Sequence, residues 1–248
     1  KARYQRGNAY VLKKEFDLAQ ADINEAIRIN PKDDRAWTMR GGLFLARGDA
    51  KRAISDFNEA IRLNPNDYFA FFQRGFAYHA IQEPDKAFVD YTRSISLNEK
   101  YITAHLNRGI ILYTKRGEFE AAIEDFDAAL KLGPGNINAL MHRGMAYGAK
   151  GNLDRAIADL DQAIELAPSF GRARYYRALL HSLANRPQRA LEDLDVALRL
   201  DAGDLEALTL RAQLFSQRLD NEKAVLDYSA ALKISPDSAV LHYNRGVA

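Results

Sequence analysis

The chain has 248 residues, of which 47% are apolar and 27% charged, and its formal net charge is +2. That balance suits a packed globular fold, excludes a disordered polyelectrolyte, and gives no whole-chain drive towards nucleic acid or an acidic membrane. The absence of cysteine excludes disulfides, cysteine nucleophiles and thiolate metal sites. No apolar run approaches the ~18 residues of a membrane span. At the start, Lys1-Ala2-Arg3-Tyr4 has no apolar signal-peptide core behind it, and the first residue is not Met, which predicts a processed or trimmed piece. Nothing in the composition selects a compartment.

Along the chain, Arg followed by a small residue recurs at Arg6-Gly7, Arg40-Gly41, Arg74-Gly75, Arg108-Gly109, Arg143-Gly144, Arg177-Ala178, Arg211-Ala212 and Arg245-Gly246. The step is 34 residues, except for 35 between Arg108 and Arg143. In phase with it run Ala19, Ala53, Ala87, Ala122, Ala156, Ala190 and Ala224, and an Asp follows each three residues later. Pro31, Pro65, Pro134, Pro168 and Pro236 close most units. The repeats are 1–33, 34–67, 68–101, 102–136, 137–170, 171–204, 205–238 and a partial eighth, 239–248, in a single domain spanning 1–248.

Each unit reads as two helices. In the second unit, Trp37, Arg40, Gly41 and Phe44 fall at helical spacing, Gly48-Asp49 breaks the chain, and Ala53, Ile54, Phe57, Ala60 and Ile61 form a second stripe before Asn64-Pro65. Pro84 and Pro187 sit at the start of second helices, where the missing N–H costs little. The recurring Gly and Ala let two backbones approach closely, with aromatics filling the flanks.

This pattern, an aromatic, an apolar–Gly pair, an aromatic, then Ala, an aromatic, Ala and a closing Pro, resembles the tetratricopeptide repeat over the entire chain. The resemblance implies an all-α, right-handed superhelical solenoid of antiparallel helix pairs, with the first helix of each pair (helix A) lining a concave groove that binds a protein or peptide.

The chain departs from the family in one regular feature. The residue before the small Gly is usually apolar, but here it is Arg in every unit. An Asp on the second helix (helix B) is equally regular. These predict charge-assisted pairs within or between units: Arg40, Arg74, Arg108, Arg143, Arg177 and Arg211 with Asp56, Asp90, Asp125, Asp159, Asp193 and Asp227. Matched opposite charges in strict phase point to structural pairing rather than a free basic ladder.

The resemblance also places the groove residues. The third unit supplies Phe69, Phe72, Gln73, Phe76 and His79, and the fourth Leu106, Asn107, Ile110 and Tyr113. The fifth supplies Met141, His142 and Met145, and the sixth Arg172, Tyr175, Tyr176 and Leu179. An exposed apolar strip of this kind suggests a binding site for an extended or helical segment. Exposure is expected at Phe72, Tyr113, Met141 and Tyr175; packing between neighbouring A helices is the open alternative for Phe76, Ile110 and Leu179. The carboxylate clamp of the family's chaperone adaptors is not matched, because Tyr4 stands where Lys is expected and Met39 replaces an Asn, although Asn8 fits.

The five histidines lie in five different units without metal-ligand spacing, and His181 replaces a large core aromatic. No phosphate-binding glycine loop or nucleophile elbow is present. The reading is therefore a non-enzymatic interaction scaffold with no cofactor and no metal. The cluster Arg172, Arg174, Arg177, Arg186 and Arg189 fits a solvated face or an acidic partner segment better than nucleic acid, since Glu192, Asp193 and Asp195 offset it. The last unit stops inside its first helix. That predicts either flanking sequence or open ends that stack on a second copy, so a self-assembling solenoid is the competing role.

Overall fold

The computed structural model describes residues 15–248 together with Arg6, Tyr10 and Lys13. Tyr4, Gln5, Gly7 and Asn8 lie outside the described residues. All regular structure among the described residues is helical. The chain forms two compact units, residues 1–117 and 118–248.

The first unit contains α1 (Phe16–Ile29), α2 (Asp34–Ala46), α3 (Ala50–Leu63), α4 (Tyr68–Ala80), α5 (Pro84–Leu97) and α6 (Ile102–Ile111). The second contains α7 (Phe119–Leu132), α8 (Ile137–Ala149), α9 (Leu153–Leu166), α10 (Gly171–Leu183), α11 (Pro187–Leu200), α12 (Leu205–Gln217), α13 (Asn221–Ile234) and α14 (Ala239–Val247). Local sequence sets these ends. Asp49 accepts from the Arg52 N–H at 3.0 Å, Asn136 from Ala139 at 3.0 Å, and Asp204 from Ala207 at 3.0 Å, each filling an orphan donor of a first turn. Pro84 and Pro187 open α5 and α11. Between the helices of a pair the chain turns through a left-handed residue: Gly48, Gly117 and Gly151, but also Gln82, Asn185 and Leu219.

The 35-residue step also has a structural counterpart. The extra residue of the fourth repeat is taken up by a π-helical turn, Leu112–Arg116, which extends α6 and ends at Gly117. Arg116 from this turn donates to Asp85 at 2.9 Å and lies 3.8 Å from the Phe88 ring centroid.

Packing explains the small residues before each pair's core aromatic. A Cβ on Gly41 would lie 2.5 Å from the Phe57 ring, and one on Gly144 would lie 3.0 Å from the Ala156 carbonyl oxygen. Phe57, Tyr91 and Leu160 are buried against Gly41, Gly75 and Gly144, and Phe126, Leu194 and Tyr228 are buried at the matching positions of their B helices. The core of each unit is a row of such layers.

An arginine tie recurs through the repeats. Nε and Nη2 of Arg40 donate to Asp56 at 2.7 and 2.8 Å, and those of Arg74 to Asp90 at 2.8 and 2.7 Å. The same bidentate geometry holds Arg143 to Asp159, Arg177 to Asp193 and Arg211 to Asp227 at 2.5–2.8 Å. Arg6 holds Asp22 at 2.6 Å in both bonds. The acceptor is always on helix B of the arginine's own repeat and is buried. The remaining nitrogen, Nη1, reaches helix B of the preceding repeat: Asn24 from Arg40 (2.9 Å), Asn58 from Arg74 (2.7 Å), Thr92 from Arg108 (3.3 Å), Asp127 from Arg143 (2.6 Å), Asp161 from Arg177 (2.7 Å) and Asp195 from Arg211 (2.7 Å). The planar guanidinium groups of Arg40, Arg74, Arg143, Arg177 and Arg211 thus each join three helices. Arg108 belongs to the first unit, whereas Asp125, which is also buried, belongs to the second.

Candidate partner-binding faces

In the first unit, α4 and α6 carry the candidate residues. Helical spacing puts Phe69, Phe72 and Phe76 on one stripe of α4, but their environments differ. Phe69 and Phe76 are 40% and 47% exposed, whereas Phe72 is only 7% exposed, contrary to the exposure expected from its position. Two rings cover Phe72: Tyr91 of α5 at 5.7 Å between centroids and Tyr101, just before α6, at 5.0 Å and nearly perpendicular. Tyr101 also stands edge-on to Tyr68 at 5.1 Å and to Phe69 at 6.5 Å. The result is an aromatic cluster buried at its centre with Phe69 at its edge. Burial raises the pKa of the Tyr101 and Tyr91 phenols, so both stay neutral, and the Tyr91 hydroxyl is buried without a hydrogen-bond partner. Gln73, His79, Leu106, Asn107, Ile110 and Tyr113 are half-buried.

In the second unit the residues lie on α8 and α10. Met141 is 6% exposed, which also corrects the expected exposure: it sits one turn before Gly144, where a Cβ would lie 3.0 Å from the Ala156 carbonyl oxygen of α9. His142 stacks on Phe126 at 5.8 Å, and its Nδ1 is buried without a hydrogen-bond partner. Burial pushes its pKa down to about 4, so the ring is neutral at pH 7. Met145 is half-buried. On α10, Tyr175 and Tyr176 are half-buried with centroids 5.2 Å apart, and the Arg172 guanidinium lies over both at 5.5 and 5.2 Å. Glu206 of α12 pairs with Arg172. Burial raises the Tyr175 phenol to about 12. Leu179 and Tyr175 pack at the edge of the unit's main core cluster.

Two features escaped the sequence reading. Tyr101 was not assigned to the site, although an aromatic immediately before a helix was a visible signal. The Nη1 acceptors were also missed, although a polar residue recurs two positions after each Asp. The faces offer partly exposed rings beside amides and one cation, a chemistry suited to apolar anchors with a few hydrogen bonds. No cluster of His, Asp or Glu suited to a metal ion occurs among the described residues. No helix among them is long and apolar enough to cross a membrane.

Comparison with known proteins agrees with this architecture. The tetratricopeptide repeat profile matches residues 4–68 and 142–204, and a second TPR repeat profile matches 111–151. No curated protein matches. Among solved structures, a tetratricopeptide repeat protein from Parabacteroides merdae superposes with a TM-score of 0.75 at 20% identity, over 99% of this chain and 97% of that one. A chain of the APC/C Cut9–Hcn1 hetero-tetramer gives a TM-score of 0.77 at 17% identity, covering 93% of this chain, which spans 48% of that chain's length. YrrB, described as a TPR protein with an unusual peptide-binding site, gives 0.65 at 20% identity over 75% of this chain and 95% of that one. With its repeat phase, helix pairs and profile matches in agreement, the chain belongs to the tetratricopeptide repeat family.

Proposed function

We propose that this protein acts as a non-catalytic interaction scaffold, a single repeat array over residues 1–248 whose A-helix faces hold a peptide segment of a partner protein. The tetratricopeptide fold supports a scaffold role in general. The observation that carries the finer reading is the pair Phe69 and Phe76, large rings that stay 40% and 47% exposed beside a rigid aromatic cluster. Rings held that way lose little entropy on binding and make good anchors. Tyr175, Tyr176 and Arg172 give the second unit a comparable but more polar face.

The test is affinity capture with the wild type beside a Phe69→Ser/Phe76→Ser variant, both first checked for unchanged thermal melting. Loss of a partner from the variant, or an affinity drop of ~30-fold (~2 kcal/mol) for it, is the expected result. Equal capture by both proteins would contradict the groove. Light scattering that finds concentration-dependent multimers abolished by the same substitutions would favour the self-assembling reading instead.

A further inference from the structure

The sixth repeat breaks the packing rule of its neighbours. In other repeats the tie arginine, and a basic residue at the start of helix B, lie over one shared ring. Arg40 and Arg52 lie 5.9 and 4.6 Å from the Phe44 centroid, Arg74 and Lys86 5.9 and 5.6 Å from Tyr78, Arg143 and Arg155 5.9 and 5.6 Å from Tyr147, and Arg211 and Lys223 6.0 and 5.3 Å from Phe215. In the sixth repeat His181 stands where these four have that ring, with Arg177 and Arg189 still in place. A third cation, Arg174, occupies the position filled in those four repeats by Trp37, Phe71, Leu140 and Leu208.

A cleft of about 420 Å³ lies between α9 and α11, floored by α10 and lined by Arg174, Arg177, His181 and Arg189 with Asp161, Glu192 and Asp193; the matching cleft of the seventh repeat keeps its ring, Phe215. His181 is 6% exposed and its Nδ1 has no hydrogen-bond partner. The Nε of Arg174 is likewise unpartnered, and its Nη1 is 3.7 Å from Asp193, beyond hydrogen-bond range. Arg177 is fully occupied by Asp161 and Asp193. Arg189 has no hydrogen-bond or ion-pair partner among the described residues. Burial lowers the pKa of His181, Asp193 opposes this, and Arg177, Arg189 and Arg186 add to it.

At about 100° per residue, Arg174, Arg177 and His181 share one face of α10, roughly opposite Arg172, Tyr176 and Leu179. The cleft is therefore separate from the proposed groove. A buried donor without an acceptor is costly, so the Arg174 Nε, beside the unpartnered His181 Nδ1 and the unpaired Arg189, points to a missing anion. Three carboxylates already line the cleft. They disfavour a dianion and leave room for a singly charged, planar acceptor.

We propose that this cleft is a second docking site, one that receives a carboxylate side chain from an acidic segment of a partner protein, bound by Arg174, His181 and Arg189.

The test uses two substitutions that restore the neighbouring repeats' pattern and so preserve the fold, Arg174→Leu and His181→Tyr. Thermal melting is followed with a tetraglutamate peptide and, at equal ionic strength, with tetraglutamine. Binding to the folded state raises Tm. The expected result is a Tm rise with tetraglutamate alone in the wild type and in Phe69→Ser/Phe76→Ser, and no rise in either restored variant. No rise in the wild type, or the same rise in the restored variants, would overturn the site. A rise with inorganic phosphate but not with tetraglutamate would overturn the carboxylate assignment.

Discussion

The two compact units use the same arginine tie with different second partners. In the first unit Nη1 meets neutral acceptors, Asn24, Asn58 and Thr92; in the second it meets carboxylates, Asp127, Asp161 and Asp195, until the last repeat, where Nη1 of Arg245 meets the Ser229 hydroxyl at 3.5 Å. The primary acceptor never varies: it is a buried Asp in both. The difference teaches which half of the tie is constrained. A buried carboxylate must be paired, so its partner and geometry are fixed. The second acceptors are exposed enough for water to stand in, and an amide, hydroxyl or carboxylate all serve. The extra carboxylates favour the charged arginine further: the pKa values of Arg143 and Arg177 are raised, led by the hydrogen bonds they donate to Asp159 and Asp193 and helped by Asp127 and Asp161.

The comparison can be broken at its strongest point first. Replacing a primary acceptor, Asp90→Ala in the first unit or Asp159→Ala in the second, should cost about 2–3 kcal/mol in chemical denaturation. That is somewhat below the cost of opening a fully sequestered pair, because the arginine keeps an exposed edge. Equal losses in both units would confirm that the primary tie is common to them.

A second, intermediate effect is confined to the second unit. His142 has a folded pKa of about 4 against an ordinary value of 6.5. Between those values the unfolded chain binds a proton that the folded one does not. The stability is therefore complete above pH 6.5 and is lost as pH falls towards 4. His142→Leu, the residue type at the matching Leu210, should flatten the fall in Tm across that window relative to the wild type. An unchanged slope would mean the ring is already solvated.

The smallest effect lies in the second acceptors. Exchanging them between units, Asn58→Asp and Asp161→Asn, should change stability by less than ~1 kcal/mol each, with a salt dependence that appears in the first variant and fades in the second. Thermal melts at low and high salt check this.

The repeat architecture was readable because many positions recur in one phase, and each has a packing reason, such as Gly41 against Phe57 or Pro84 opening α5. The 35-residue step was equally visible, but not its form as a π turn, since periodicity counts residues without saying how the surplus is stored. At the candidate site, position was legible and burial was not. Phe72 lies on the stripe the resemblance assigns, yet Tyr101, at the far end of the same repeat, covers it. Met141 is buried one turn before Gly144, on a helix packed closely against α9. Both outcomes depend on neighbours that the residue's own helix does not reveal. The second acceptors stayed hidden because Asn, Asp, Thr and Ser share a hydrogen-bonding capacity rather than a letter.

Arg143 offers the most direct test of the tie, because it binds one acceptor of each kind. Double-mutant cycles of Arg143→Met with Asp159→Ala and with Asp127→Ala measure the two couplings on one guanidinium. A coupling to Asp159 several times that to Asp127 is predicted. Equal couplings, or a larger one to Asp127, would contradict it.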